Sequence, residues 1–212
     1  MTAPNHALLL LGSPKGLKRG SSARLGGILF GHLDKRGIRT AAVHAHAALR
    51  SRDPESLRRA ASGADLVVLA TPLYVDSLPA PVIWAMEQLS AEKLPERPRA
   101  HPRRFAVLIN CGFPEPSQNA TCARICQQFA QSGGFEWAGA LAFGATGAPT
   151  CRVRRAIALA ANALAVGETI PKEASLPRPI MSPWLYHHAN FVWTLQARRQ
   201  GTKESLRATP YA

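Results

Sequence analysis

The sequence predicts a doubly wound α/β sandwich, in which a parallel sheet carries helices on both faces. Three observations predict it. Short apolar runs alternate with longer amphipathic stretches, five times in succession, which is how βαβ units read. The third run, Leu66 to Ala70, is apolar at every position, as a strand buried on both faces must be. No internal repeat interrupts the succession, so parallel strands with right-handed crossovers are the simplest arrangement.

The elements follow in order. Residues 7–11 form the first strand, and residues 12–20 a loop rich in Gly and Lys. Residues 21–36 read as a helix, because Leu25, Ile28, Leu29 and Leu33 fall at helical spacing and Gly37 supplies a stop. A second, more polar strand covers 39–44. Asp53 is an N-cap and Pro54 a first helical residue, opening a helix that ends near Gly63. The third strand leaves through the loop 71–79. A helix over 80–89 places Val82, Ile83, Met86 and Leu89 on one side. Residues 91–104, rich in Pro and Arg, read as a surface connection. The fourth strand spans 105–110, its loop 111–117 and its helix 119–131. The fifth strand is 137–143, followed by a helix over 152–166. These elements set a domain at 1–167. Beyond it, at 168–212, lies a C-terminal extension. Its four prolines over 169–183 predict an extended arm, and a helix over 184–199 carries Trp184, Tyr186, Phe191 and Trp193. That tail packs on the domain or on a second subunit.

The chain has 212 residues, 46% hydrophobic and 18% charged, a globular composition large enough for a real core. Its formal net charge of +13 favours anionic ligands. The cations are scattered over helices, connection and tail (Arg97, Arg99, Arg103, Arg104, Arg198, Arg199 and Lys203) without interleaved stacking aromatics, which argues against nucleic acid. The apolar run 7–11 is too short to span a membrane and lacks the flanks of a signal peptide, so the cytoplasm is the expected location. Cys111, Cys122, Cys126 and Cys151 include no CxxC pair and read as reduced thiols; no metal site is expected.

Three loops carry the chemistry, since ligands of open parallel sheets sit beyond the carboxyl ends of the strands. The first, 12–22, has three glycines, the hydroxyls of Ser13, Ser21 and Ser22, and the cations Lys15, Lys18 and Arg19, and it feeds straight into a helix. Helix N-termini bind phosphate through free N–H groups and the dipole. The loop is neither a Walker loop nor a GxGxxG fingerprint. The second, 71–79, offers Tyr74 as a flat face for an aromatic ligand. In the third, 110–116, Gly112 permits close approach to a ring and Phe113 is a wall or a core residue. His32, His44, His46 and His101 fall at positions away from these loops. His187 and His188 lie in the tail, at surface or interface.

Together the loops resemble those of the NAD(P)H-dependent FMN reductases and quinone reductases of the flavodoxin-like superfamily. The resemblance rests on Leu8 through Ser13 and Pro14 followed by Ser21 and Ser22, on Ala64 through Pro81, and on Val107 through Pro114. It implies a flavodoxin-like sheet of five parallel strands in the order 2-1-3-4-5. It implies FMN as cofactor, its phosphate held by Ser13, Ser21, Ser22 and Ala23; Lys15 joins these as a phosphate ligand on its charge and its place in the loop. The isoalloxazine ring then meets Pro72, Leu73, Tyr74 and Val75, with Cys111, Gly112 and Phe113 on its pyrimidine side. The three cations of the first loop depart from the family, which often uses few charges there.

The resemblance further implies hydride transfer from NAD(P)H through the flavin to a quinone, flavin or similar small-molecule acceptor, and a homodimer. No general acid or base is assigned. Arg152, Arg154 and Arg155 read either as contacts to a phosphorylated nicotinamide or as a solvated helix start. Two other classes stand beside the reductase. One is a flavodoxin-type electron carrier, a class that is usually acidic, unlike this chain. The other is a non-catalytic scaffold with a basic surface.

Overall fold

Residues 7–11 have no polar side chain to offer water, and they form the body of β1 (His6–Leu11), buried from Ala7 onward. The computed structural model describes residues 2–17, 19–90, 94–95, 97–98, 101–144, 149–175, 194–195 and 197–201. They fall into two compact units, Met1–Ile180 and Met181–Ala212.

In the first unit β1 is followed by α1 (Ser21–Asp34), β2 (Arg39–His44), α2 (Ala45–Ser51), α3 (Pro54–Ser62), β3 (Leu66–Pro72), α4 (Ala80–Gln88), β4 (Arg104–Asn110), α5 (Ala120–Ser132), β5 (Glu136–Phe143), α6 (Cys151–Ala165) and the single turn α7 (Lys172–Ser175). The five strands are all parallel, in the order β2-β1-β3-β4-β5, as expected. Alternation along each strand sorts the core into two layers. Leu9, Leu11, Val68, Ala70 and Leu108 join α1 and α6 on one face. Leu8, Leu10, Val67, Leu69 and Val107 join α2, α3, α4 and α5 on the other. Gly26 lets α1 lie close on the sheet, since a Cβ there would meet Leu9 Cδ1 at 3.0 Å and Ala70 Cβ at 3.2 Å.

The Asp53 cap forms as expected, its carboxylate accepting the Ser56 amide at 3.1 Å. Residues 45–51, to which the sequence pattern assigns no element, form α2, a helix of two turns whose Ala45 and Ala48 are buried. Its end at Arg52, in left-handed conformation at φ 52°, carries no glycine signal.

The connection 91–104 is not all surface. Arg104 belongs to β4 and is buried, its Nε donating to Glu136 at 3.2 Å and its Nη2 to the Glu168 carbonyl at 2.9 Å. Arg103 is buried too, donating to the Ser62 carbonyl with its guanidinium over the Phe135 ring. Lastly, the arm begins folded rather than extended. The Ile170 amide donates to the Ala138 carbonyl at 2.9 Å, and Ile170 and Ala174 enter the core before and within α7. Gly139, at φ 106°, makes room, because a Cβ there would stand 2.8 Å from that of Ile170. In the second unit residues 194–195 and 197–199 are helical, inside the helix expected over 184–199. The rest of that helix, with its aromatics and His187 and His188, lies outside the described residues, as do Lys18, Arg99 and Lys203. Among the described residues no helix is long and apolar enough to cross a membrane.

At the amino ends of the strands Asp65 ties β1 to β3. Its carboxylate accepts the amides of Asn5 at 2.8 Å and His6 at 3.0 Å and pairs with Arg97 at 2.7 Å. Burial alone would push this carboxyl up, but the Arg97 guanidinium and the two amides outweigh it and hold it below the usual carboxylate range. A depressed folded value means a stabilisation that is complete above the unfolded value of about 3.9 and lost as pH falls through the folded one. Asp65→Asn is therefore expected to lower stability at pH 7 by about 1 kcal/mol, after allowance for solvent screening. In urea melts across pH the gap to wild type closes below pH ~4; a gap that persists in acid would show that the charge is not its source.

Candidate functional site

The strand register brings the first, second and third loops together at the carboxyl edge of the sheet, because β1, β3 and β4 are neighbours: β3 and β4 end level, Pro72 beside Asn110, and β1 ends two residues earlier, Leu11 beside Ala70.

The first loop leads into α1 through Gly20, whose φ of 92° only glycine adopts readily. No side chain caps α1 and no acidic residue stands in its first turn. Its first amides, those of Ser22 and Ala23 among them, therefore face the loop with the positive end of the helix dipole. Over Gly20 two of the expected phosphate ligands converge: a Cβ there would touch Lys15 Cδ and Ser13 Oγ, each at 3.4 Å. Ser13 is buried and Lys15 exposed. Ser22 is placed differently. Its hydroxyl, 1% exposed, donates to Asn110 Oδ1 at 2.7 Å, so Ser22 ties α1 to the third loop and has only its amide for a ligand. Gly12 is needed for packing, since a Cβ there would stand 2.4 Å from Val82 Cγ2.

The second loop begins later than expected, because Thr71 and Pro72 continue β3. The Leu73 amide donates to the Asn110 carbonyl at 2.8 Å. Tyr74 and Ser77 exchange both backbone hydrogen bonds at 3.0 Å across a two-residue turn of Val75 and Asp76. Both turn residues have positive φ, 49° and 57°, where Asn-Gly is the usual choice. A β-branched Val there is strained, and its side chain is 98% exposed. Tyr74 is 46% and Phe113 48% exposed, so both rings face outward rather than filling the core.

In the third loop the Cys111 amide donates to the Phe143 carbonyl at 3.0 Å. The thiol lies among the carbonyls of Phe113 and Phe143 and accepts from Asn119 Nδ2 at 3.4 Å. Burial pushes this thiol up despite the Asn119 bond, so it stays protonated and is no nucleophile. A Cβ on Gly112 would meet open space. Gly144, unremarked in the sequence, admits the loop: a Cβ there would lie 2.3 Å from the Pro114 carbonyl oxygen.

Two residues that sequence reasoning missed belong to the site. Asn110 joins all three loops through the bonds just described. His44, expected to lie away from the loops, donates from Nε2 to the Ser13 carbonyl at 2.7 Å, and the His46 ring stacks on it at 5.5 Å. The order β2-β1 explains the correction, since the end of β2 abuts the end of β1. Burial lowers the His46 pKa, with the charge of His44 adding to it and the Gly12 backbone opposing. His101 instead meets Thr2 Oγ1. Arg152, Arg154 and Arg155 are exposed at the start of α6. Among the described residues no group of three His, Cys, Asp or Glu is placed to hold a metal ion.

No family model matches the sequence, and no curated protein matches it. Solved structures match its shape. RosB with the bound intermediate 8-demethyl-8-formylriboflavin-5'-phosphate gives a TM-score of 0.59 at 13% identity, covering 98% of this chain and 92% of that one. The Streptococcus pneumonia TIGR4 flavodoxin gives 0.56 at 14%, covering 76% and 99%. Rubredoxin oxygen:oxidoreductase from Desulfovibrio gigas gives 0.59 at 12%, covering 77% of this chain and 36% of that one; this chain thus spans little more than a third of its length. At such identities the likeness establishes the fold, which is flavodoxin-like.

Two substitutions test this geometry. Ser22→Ala leaves the buried Asn110 oxygen without its donor and is expected to cost about 1–3 kcal/mol in chemical denaturation; an unchanged midpoint would mean that the bond does not join the loops. Val75→Gly relieves the left-handed strain and is expected to add about 1 kcal/mol in the same assay. A loss of stability would place the Val75 side chain in a contact worth more than the strain.

Proposed function

We propose that this chain is an FMN-dependent oxidoreductase that takes a hydride from NAD(P)H and delivers electrons to a quinone, flavin or similar small acceptor. The observation that carries the reading is the cradle over Gly20: an uncapped helix start, a buried serine hydroxyl and a lysine side chain meeting where a phosphate would bind, beside a rim carrying the outward rings of Tyr74 and Phe113. These residues fit FMN. Ser13, Lys15 and the amides of Ser21, Ser22 and Ala23 would hold its phosphate. Pro72, Leu73, Tyr74 and Val75 would line one side of the ring, and Gly112 and Phe113 the other. That RosB holds a riboflavin phosphate derivative on the same fold supports the reading.

Bound there, the flavin would supply the hydride and electron chemistry. The chain's part is to hold and shield it. A flavin held there would carry added negative charge at its pyrimidine side when reduced. The Cys111 amide is already bonded to Phe143, which leaves the amides of Gly112 and Phe113 to face that charge. Open space beside Gly112 lets the backbone come that close. Cys111 stays protonated and supplies no base. The net charge of +13 favours the anionic nucleotides of an enzyme over the acidic surface usual in an electron carrier.

The purified protein is expected to take up FMN near 1:1, and its visible spectrum to bleach on anaerobic addition of NADPH or NADH. Lys15→Ala is expected to weaken FMN about tenfold while leaving riboflavin affinity unchanged, because only the phosphate contact is lost. No uptake at micromolar FMN would overturn the cofactor assignment. Uptake with a stable one-electron reduced form and no reaction with either nicotinamide would make the chain a carrier.

A further inference from the structure

His44 lies outside the residues assigned to the flavin and bonds to the Ser13–Pro14 peptide of the first loop. The peptide between Ser13 and Pro14 has no N–H, because residue 14 is proline. Its carbonyl is its only polar group. It receives a weak bond from the Gly16 amide at 3.4 Å and a strong one from His44 Nε2 at 2.7 Å. A carbonyl has no proton to give, so Nε2 carries the hydrogen of that bond. On the side-chain side of the same residue, Ser13 Oγ points to the Gly20 cradle. The orientation of the peptide therefore decides what an anion meets: a hydroxyl with the carbonyl held off, or a carbonyl dipole that repels it.

We propose that His44 is a positioning residue for an oxyanion in the first loop: by holding the Ser13 carbonyl toward the end of β2, it keeps Ser13 Oγ, Lys15 and the α1 amides aimed at a phosphate monoester. The inference rests on the reading that the first loop holds a phosphate. The stacked ring of His46, with the Gly12 backbone beside it, limits how His44 can turn. His44 acts through Ser13 and touches no ligand atom. Its loss is felt by the phosphate and not by the ring system, which separates positioning from a general structural role.

The test measures the affinities of FMN and riboflavin for wild type, His44→Phe and His44→Gln, each checked for a native circular-dichroism spectrum. His44→Phe keeps a ring to stack on His46 and loses the donor; His44→Gln restores a donor. The expected result is a fall of about tenfold in the preference for FMN over riboflavin in His44→Phe, with riboflavin affinity unchanged and the preference recovered in His44→Gln. Equal losses for both ligands, or none, would overturn the inference while leaving the flavin reading intact. A second arm titrates inorganic phosphate and follows the amide resonances of Ser21, Ser22 and Ala23. Shifts in wild type that vanish in His44→Phe would uphold the inference even if FMN did not bind. The absence of shifts in wild type, together with no preference for FMN, would overturn it along with the phosphate assignment.

Discussion

A parallel sheet covered on both faces has no room for polar side chains along its strands, and this constraint shapes the rest of the molecule. Strands β1, β3 and β4 are almost wholly apolar and buried, so polar groups collect where the strands end. At the amino edge they serve stability: Asp65 pairs with Arg97, and Arg104 with Glu136. At the carboxyl edge they are the hydroxyls, amides and rings of the three loops. The division follows from chain direction. Helices α1, α2, α4, α5 and α6 each follow the carboxyl end of a strand, so helix N-termini gather there.

The carboxyl edge is cross-braced rather than merely adjacent. Asn110 receives the Ser22 hydroxyl on its side chain and the Leu73 amide on its backbone, so moving one loop moves the others. Against this rigid base stands the turn at Val75 and Asp76, where two non-glycine residues hold positive φ and Val75 projects fully into solvent. Strain of this kind, of order 1–3 kcal/mol per residue, persists only where the surroundings enforce it. Here the paired backbone bonds of Tyr74 and Ser77 enforce it.

Most of the fold was legible in the sequence. Apolar runs marked the strands because two-sided burial leaves no alternative, and the Asp53-Pro54 pair marked α3 because a cap is a local matter. What escaped was decided by tertiary contacts. The two turns of α2 show too short a pattern to recognise, and they end on Arg52 rather than glycine. Arg103 and Arg104 read as surface cations, since nothing local reveals that Glu136, the Glu168 carbonyl and the Phe135 ring wait for them. At the site, the loops were legible from their Gly, Ser and aromatic content. The tie of Ser22 to Asn110 and of His44 to Ser13 was not, because each joins residues far apart in sequence. The strand order, once known, makes the second foreseeable: a polar residue at the end of β2 must face the loop after β1.

The central claim is that the carboxyl edge of the sheet binds a flavin phosphate. Hydrogen–deuterium exchange of the full chain with and without FMN tests it most directly. The account predicts new protection confined to residues 12–23, 71–78 and 110–116, with the amino-edge residues around Asp65 and Arg104 unchanged. Protection elsewhere, or none at saturating FMN, would contradict it.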